Sequence, residues 1–249
     1  MKLTVLGSGS SGNCYLLQNE NEALIIECGL PYKTILKGLD FKLENVVGCL
    51  VSHEHKDHSK AIRELLKNGI DVYSSVGTCR ALADESSYIE TYYRLTFIES
   101  EKQLKVGNFT ILPFAAEHDA TEPLGFLIQH KDIGKLLFIT DSYYCKYKFK
   151  GVNHIMIECN YSEDILRENL ENEVIHPVLR DRLIKSHFSL ENVKEFLKAN
   201  DLSKVRNLML IHLSSSNSNA NEFKSQIERL TGKPVYIASK GLEIELEGL

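Results

Sequence analysis

Ser52-His53-Glu54-His55-Lys56-Asp57-His58-Ser59 sets four metal-ligand side chains, His53, His55, Asp57 and His58, within six residues. An apolar run of strand length, residues 46–51, leads into it. A stretch with Ala61, Ile62, Leu65 and Leu66 at helical spacing leads out. The spacing has a geometric reading. His53 and His55, two apart on an extended turn, point to one side and can grip one ion. Asp57 and His58 open the next helical turn and face a second ion. Imidazole and carboxylate suit zinc, manganese or iron, and the lack of thiolate ligands argues against a closed structural zinc. A lone histidine is usually structural, but a polar cluster this dense at a strand end demands compensation if buried.

Two ions need further ligands, and later strand ends supply them. His118 follows the run 109–114, Asp141 follows 135–140, and His212 ends 205–211. Read singly, each has an equal alternative as a turn or cap residue. Together they complete seven ligands for a dinuclear centre in which Asp141 can bridge.

The rest of the chain is ordinary globular sequence. Its 249 residues are 43% hydrophobic and 25% charged, which excludes disordered and fibrous classes. No window approaches the ~18 consecutive apolar residues of a membrane span, and the N-terminal apolar run is too short for a signal peptide's core, so a cytosolic location is expected. A formal charge of −5 provides no global basic field for nucleic acid. The six cysteines include no C-x-x-C pair and read as reduced, mostly buried thiols. No repeat or linker divides the sequence, so a single domain, 1–249, is expected.

Strands are expected at 3–6, 15–18, 23–26, 46–51, 70–74, 94–98, 103–106, 109–114, 124–130, 135–140, 154–158 and 205–211, with short ones near Val235 and Leu242. Helices are expected at 59–68, 76–83, 162–171, 177–184, 190–199 and 219–230. Strands in two batches, each followed by helices, predict a layered α/β protein. The glycine-rich segment Gly7-Ser8-Gly9-Ser10-Ser11-Gly12 follows a strand, as a dinucleotide fingerprint would, but the strand-like Cys14-Tyr15-Leu16-Leu17-Gln18 comes next where that fingerprint needs a helix. Its small residues are read instead as letting the backbone pass close to the metal edge. His130, His154 and His176 have no ligand-like company and are read as structural.

His53-x-His55-x-Asp57-His58, with His118, Asp141 and His212 in that order, resembles the metallo-β-lactamase superfamily of metal-dependent hydrolases. Residues 6–13, His118-Asp119-Ala120, Pro123-Leu124-Gly125-Phe126, Glu158-Cys159-Asn160 and His212-Leu213-Ser214 with Asn217 are similar to its YycJ/WalJ-type branch, linked to exonuclease-like action on DNA. The resemblance spans nearly the whole chain. It implies a four-layer αββα sandwich holding two divalent ions (zinc or manganese, iron as a further option) at one edge of its sheets. His53, His55 and His118 would hold one ion, and Asp57, His58 and His212 the other, with Asp141 between them. Glu27 stands where the superfamily usually has Asp, a residue that orients the histidine loop. Ser186-His187-Phe188-Ser189 resembles the branch's Gly-His-Leu-Ser stretch, with Ser186 in place of Gly and Phe188 in place of Leu. No clamp or cap domain is visible, unlike the large RNA-processing relatives.

The implied chemistry is hydrolysis of a phosphodiester, with DNA as the expected substrate. A dinuclear centre lowers the pKa of a bound water and stabilises both attacking and leaving oxygens. Asp57 is placed to orient or accept the water's proton, and His187 to grip phosphate or protonate the leaving oxygen. The alternative for His187 is a hydrogen bond that fastens its junction. Lys56, Lys60 and Arg63 either meet backbone phosphates or form a solvated helix face. The rival enzyme reading is hydrolysis of a carboxylic ester, thioester, lactone or lactam. A non-catalytic binding module comes last, because all seven ligands are retained. No membrane partner is expected, and the oligomeric state is open.

Overall fold

Lys2–Gly7 (β1), Cys14–Gln18 (β2) and Ala23–Ile26 (β3) are strands, β1 buried through its middle and β2 and β3 almost throughout, so apolar side chains on both faces find cover. The computed structural model describes residues 1–85 and 93–248. The chain divides into two units, one of residues 1–115, 120–134 and 239–249, the other of residues 116–119 and 135–238.

In the first unit a seven-stranded sheet takes the order β14-β1-β2-β3-β4-β5-β6, with β4 at Val46–Leu50, β5 at Val72–Ser74, β6 at Leu95–Phe97 and β14 at Glu243–Glu245. Pairing is antiparallel from β14 to β3 and parallel from β3 to β6. The parallel half brings the carboxyl ends of β3 and β4 to the same edge, which is where Glu27 and the histidine motif emerge. Helices α2 (Lys56–Ser59) and α3 (Ile62–Lys67) replace the single expected helix 59–68. Ile62, Leu65 and Leu66 of α3 bury against Ile25, Cys49 and Val72 in one apolar cluster, the expected helical face on its sheet. Helix α1 (Tyr32–Gly38) was not expected; seven residues with only Ile35 buried carry too little periodicity to read. Helix α4 spans Val76–Glu85.

Strands β7 (Leu104–Val106), β8 (Phe109–Ala115) and β9 (Leu124–His130) pair antiparallel and belong to a second seven-stranded sheet. That sheet's remaining strands, β10 (Gly134–Ile139), β11 (His154–Glu158), β12 (Asn207–Ile211) and β13 (Val235–Ile237), are parallel to one another. Four helices of the second unit start on side-chain caps. Ser162, His176, Ser189 and Asn219 accept N–H bonds at the heads of α5 (Glu163–Glu171), α6 (Pro177–Ser186), α7 (Leu190–Ala199) and α8 (Ala220–Thr231). Gly232 closes α8 at φ 65°, the left-handed conformation glycine adopts without strain.

Two mixed sheets with flanking helices make this an α/β sandwich, the expected fold class. Structural roles for the remaining histidines also hold. His176 caps α6, His154 lies 3.3 Å from Asn207 Nδ2, and buried His130 meets Glu22 at 3.0 Å. All six cysteines are free thiols, five of them buried. Among the described residues no helix is long and apolar enough to cross a membrane.

Candidate metal centre

The histidine motif leaves β4 along a loop held from three sides. Glu27, fully buried at the end of β3, accepts the Ser52 N–H on Oε1 at 3.2 Å and places Oε2 3.4 Å from His58 Nδ1. His58 Nε2 lies 3.1 Å from Asn13 Nδ2 and 3.4 Å from Asp57 Oδ2. His53 Nδ1 lies 2.8 Å from Ser52 Oγ, and its ring centroid is 4.2 Å from that of His58 and 4.7 Å from that of His55. Glu54, between the two histidines, takes the Thr121 N–H and hydroxyl at 2.8 and 2.6 Å, tying the motif loop to the segment before β9. Burial resists ionisation of Glu54, but the Thr121 bonds outweigh it and hold its carboxyl below the usual range.

The glycine-rich loop serves this edge, as its small residues suggest. Asn13 N–H donates to the Asp57 carbonyl at 2.8 Å, and a Cβ on Gly12, whose φ is 139°, would meet the Gly29 carbonyl at 2.5 Å. A Cβ on Gly29 would sit 1.7 Å from the Asp57 carbonyl oxygen. Two backbone segments thus press on the Asp57–His58 peptide, and only glycine fits at the contact. The strand that follows, β2, completes the case against a dinucleotide fingerprint. Lys56, Lys60 and Arg63 are exposed.

In the second unit, three parallel strands end at one edge. Asp141 follows β10, Glu158 closes β11 and His212 follows β12. Asp141 and His212 have positive φ, 34° and 51°, as does Glu27 in the first unit at 63°. Such a conformation costs a non-glycine residue about 1–3 kcal/mol, which the surroundings must sustain. Asp141, Glu158, His187 and His212 each offer a ligand atom within 4.8 Å of the others, and His118 lies beside Asp141. His118 Nδ1 donates to the Ser186 carbonyl at 2.7 Å, which leaves the Nε2 lone pair 3.3 Å from Asp119 Oδ1 and 3.7 Å from Asp141 Oδ2. Burial pulls the His118 pKa below the usual imidazole range against the opposing charge of Asp141, so the neutral ring prevails. A neutral nitrogen lone pair facing carboxylates calls for a cation between them. The donor set, imidazole and carboxylate without thiolate, is that of a divalent-metal centre.

Glu158 is the functional residue that sequence reasoning left without a role. Fully buried, it takes His187 Nδ1 at 2.7 Å and His212 Nδ1 at 3.1 Å on Oε1, and the N–H groups of Ser142 and Phe188, each at 3.1 Å, on Oε2. Both imidazoles are therefore protonated on Nδ1, with Nε2 turned away from Glu158. Burial works against its ionisation, but the His187 charge and hydrogen bonds win and hold the pKa low. His187 shows the converse. Burial would lower its pKa, yet the Glu158 charge and hydrogen bond raise it. The signal was an acidic residue closing a strand whose five positions are all buried. His187, at the end of α6, stacks on His212 with centroids 5.6 Å apart.

Residues 36–213 match the family described as Beta-lactamase superfamily domain. The chain belongs to this superfamily. It is 32% identical over 176 residues to Exodeoxyribonuclease YycJ of Bacillus anthracis, a match covering 67% of this chain and 66% of that protein, just under two thirds of its length. With Exodeoxyribonuclease WalJ of Streptococcus pneumoniae serotype 2 it shares 28% identity over 230 residues, covering 87% of this chain and 83% of the relative. Among solved structures, the metallo-β-lactamase fold protein YhfI from Bacillus subtilis superposes with a TM-score of 0.70 at 19% identity, over 98% of this chain and 99% of that one. The fold and the YycJ/WalJ-type resemblance read from the motifs are those of the superfamily's members.

Proposed function

We propose that this metal-dependent hydrolase is a two-ion phosphodiesterase that removes nucleotides from DNA. The observation that carries the reading is Glu158 clamping His187 and His212 beside Asp141, since it supplies a ligand edge and a proton donor at one place. The exodeoxyribonuclease names of its relatives support DNA as the substrate class. The proposed ligands are His53, His55 and His118 for one ion and Asp57, His58 and His212 for the other, with Asp141 shared. Zinc or manganese suits this set, and iron is the third option. Bound there, divalent ions would supply an activated water and offset the charge of the phosphate.

Asp57, a quarter exposed, orients the proton of the attacking water. His187, whose pKa the Glu158 charge and hydrogen bond raise, is turned through Nε2 to a leaving oxygen and gives it a proton as the P–O bond breaks. Glu27 and Asn13 keep the motif loop in register. On this reading residues 1–249 act as a single domain, because the proposed ligands are spread from His53 to His212. The free thiols fit a reducing cytoplasmic compartment.

The test joins metal analysis of the purified protein to a matched panel of DNA, RNA, a minimal phosphodiester, a thioester and a lactam. Up to two divalent ions per chain and DNA hydrolysis above the other classes are expected. Thioester turnover with no phosphodiester cleavage would overturn the reading in favour of carboxylic-ester chemistry.

A further inference from the structure

Two residues after Asp141 the chain reads Tyr143-Tyr144-Cys145-Lys146-Tyr147-Lys148-Phe149-Lys150, an aromatic and basic alternation that the metal-ligand cluster does not use. The segment has no helix or ladder, yet its exposure alternates like that of a strand. Lys146, Lys148 and Lys150 are exposed, and Cys145, Tyr147 and Phe149 between them are half-buried. Tyr143 and Tyr144, at the end nearest Asp141, are 38% and 56% exposed, large values for rings of this size.

Two anchors fix this segment beside the metal-ligand edge. Ser142 Oγ accepts the Glu117 N–H at 2.9 Å and donates to the Tyr144 carbonyl at 2.8 Å, while Tyr143 N–H donates to the Glu117 carbonyl at 3.0 Å. On the other flank, Asn192 Nδ2 donates to the Tyr143 carbonyl at 3.0 Å, and the Phe149 N–H to Asn200 Oδ1 at 2.8 Å. A cleft of about 240 Å³ lies between the segment and α7, with Phe188 and Phe196 among its lining residues. The only ion pair along the row among the described residues joins Lys146 to Glu117 at 3.9 Å, so most of its positive charge is uncompensated.

We infer that residues 143–150 are a platform for single-stranded nucleic acid, on which Tyr143 and Tyr144 stack unpaired bases and Lys146, Lys148 and Lys150 take successive phosphates. Lysines two residues apart on an extended chain are about 6.6 Å apart, about the separation of successive phosphates along a stretched polynucleotide. Exposed rings accept any base with a free face, so the platform selects for strandedness and not for sequence. Its place next to Asp141, His118 and His187 delivers the strand to the ligand edge. A local row of cations also answers how a chain with net charge −5 can hold a polyanion. This inference rests on the phosphodiesterase reading for its purpose, but its test is separate.

The test is binding of a fluorescent phosphorothioate oligothymidylate, which resists cleavage, to the metal-loaded protein over a range of salt. Removing three phosphate contacts in a Lys146→Ala/Lys148→Ala/Lys150→Ala variant should flatten the log K against log salt slope by about 2, at ~0.7 per single-strand contact. Tyr144→Ala should weaken binding about ten-fold with the slope unchanged. Melting temperature and metal content check that each variant is folded. If the triple variant does not fold, Lys148→Ala alone should change the slope by about 0.7. Parent affinity and slope in the lysine variants would remove the platform whether or not the protein cuts DNA. Tighter binding of duplex than of single strand, with no effect of Tyr144→Ala, would overturn the stacking assignment. A parent protein that holds the oligonucleotide through these side chains but hydrolyses no phosphodiester would sink the proposed function and leave the platform standing.

Discussion

Replacing Glu158 by Gln tests the logic of the second unit most directly, because the change removes a charge and almost no volume. The carboxylate is wholly buried and accepts four N–H groups, two from imidazoles at 2.7 and 3.1 Å and two from backbone at 3.1 Å. A carboxamide has one accepting oxygen. If that oxygen keeps the backbone donors of Ser142 and Phe188, the amide NH2 faces the Nδ1 atoms of His187 and His212. Those nitrogens must then become acceptors, which moves their protons to Nε2, blocks Nε2 of His212 as a ligand and takes from His187 the carboxylate charge that raises its pKa. Removing one partner of a buried charge pair costs about 3–5 kcal/mol, which in a chain of this size corresponds to a fall in melting temperature of roughly 10 °C. Orienting partners of this kind are worth about 10–100-fold in metal affinity. Thermal unfolding, titration calorimetry with zinc or manganese, and histidine-ring nitrogen NMR read the three effects separately. Parent metal affinity together with unchanged ring tautomers would refute the reasoning, even if the variant were less stable.

How much of this was legible beforehand depended on whether the signal was local. The motif from His53 to His58 announces itself because four candidate ligands in six residues have no cheap structural explanation, and its place between a buried strand and a helix follows from the flanking periodicity. His118, Asp141 and His212 needed more. Each is a single polar residue at a strand end, and only the order of all of them against a known pattern marked them as candidate ligands and not turn residues. Glu158 sat inside a recognised stretch, yet its role rests on pairing between strands distant in sequence, since β11 must lie beside both β10 and β12 before its last residue can reach His187 and His212. Helix α1 escaped for the opposite reason, with one buried residue to mark its face. The break between α2 and α3 was invisible because the apolar spacing continues across it. Sequence alone did assign the glycine-rich loop, since a strand after Gly12 excluded a phosphate-binding helix whatever the rest of the fold.

Further expectations test positions on both units. Gly29→Ala puts a Cβ 1.7 Å from the Asp57 carbonyl oxygen, so the motif loop must shift; lost metal binding in a folded variant is expected, and parent metal content would contradict the contact. Glu27→Asp shortens the side chain by one methylene and draws its carboxylate away from the Ser52 N–H, now at 3.2 Å. Metal affinity should fall about ten-fold, and an equal or tighter titration would show that the superfamily's usual Asp serves this loop as well. His187→Ala should keep its metal while phosphodiester turnover drops ~10²-fold or more; loss of metal in proportion to activity would make His187 a ligand instead. The last concerns acid stability at Glu22, distant in sequence from any proposed ligand. Buried beside β9, its carboxylate accepts the Asn108 N–H at 3.0 Å, Asn108 Nδ2 at 2.9 Å and His130 Nε2 at 3.0 Å. Burial alone would raise its pKa, but the Asn108 bonds and His130 outweigh that and the net shift is downward. A folded-state pKa below the unfolded one means the group stabilises the fold fully above the unfolded value, near 4.3, and loses that contribution as pH falls through the folded value. Urea unfolding between about pH 6 and 3 should therefore show a shallower acid decline for Glu22→Gln than for the parent. Parallel curves, offset but equal in slope, would mean that the Glu22 carboxyl titrates alike in both states and that its three bonds hold shape without favouring its charge.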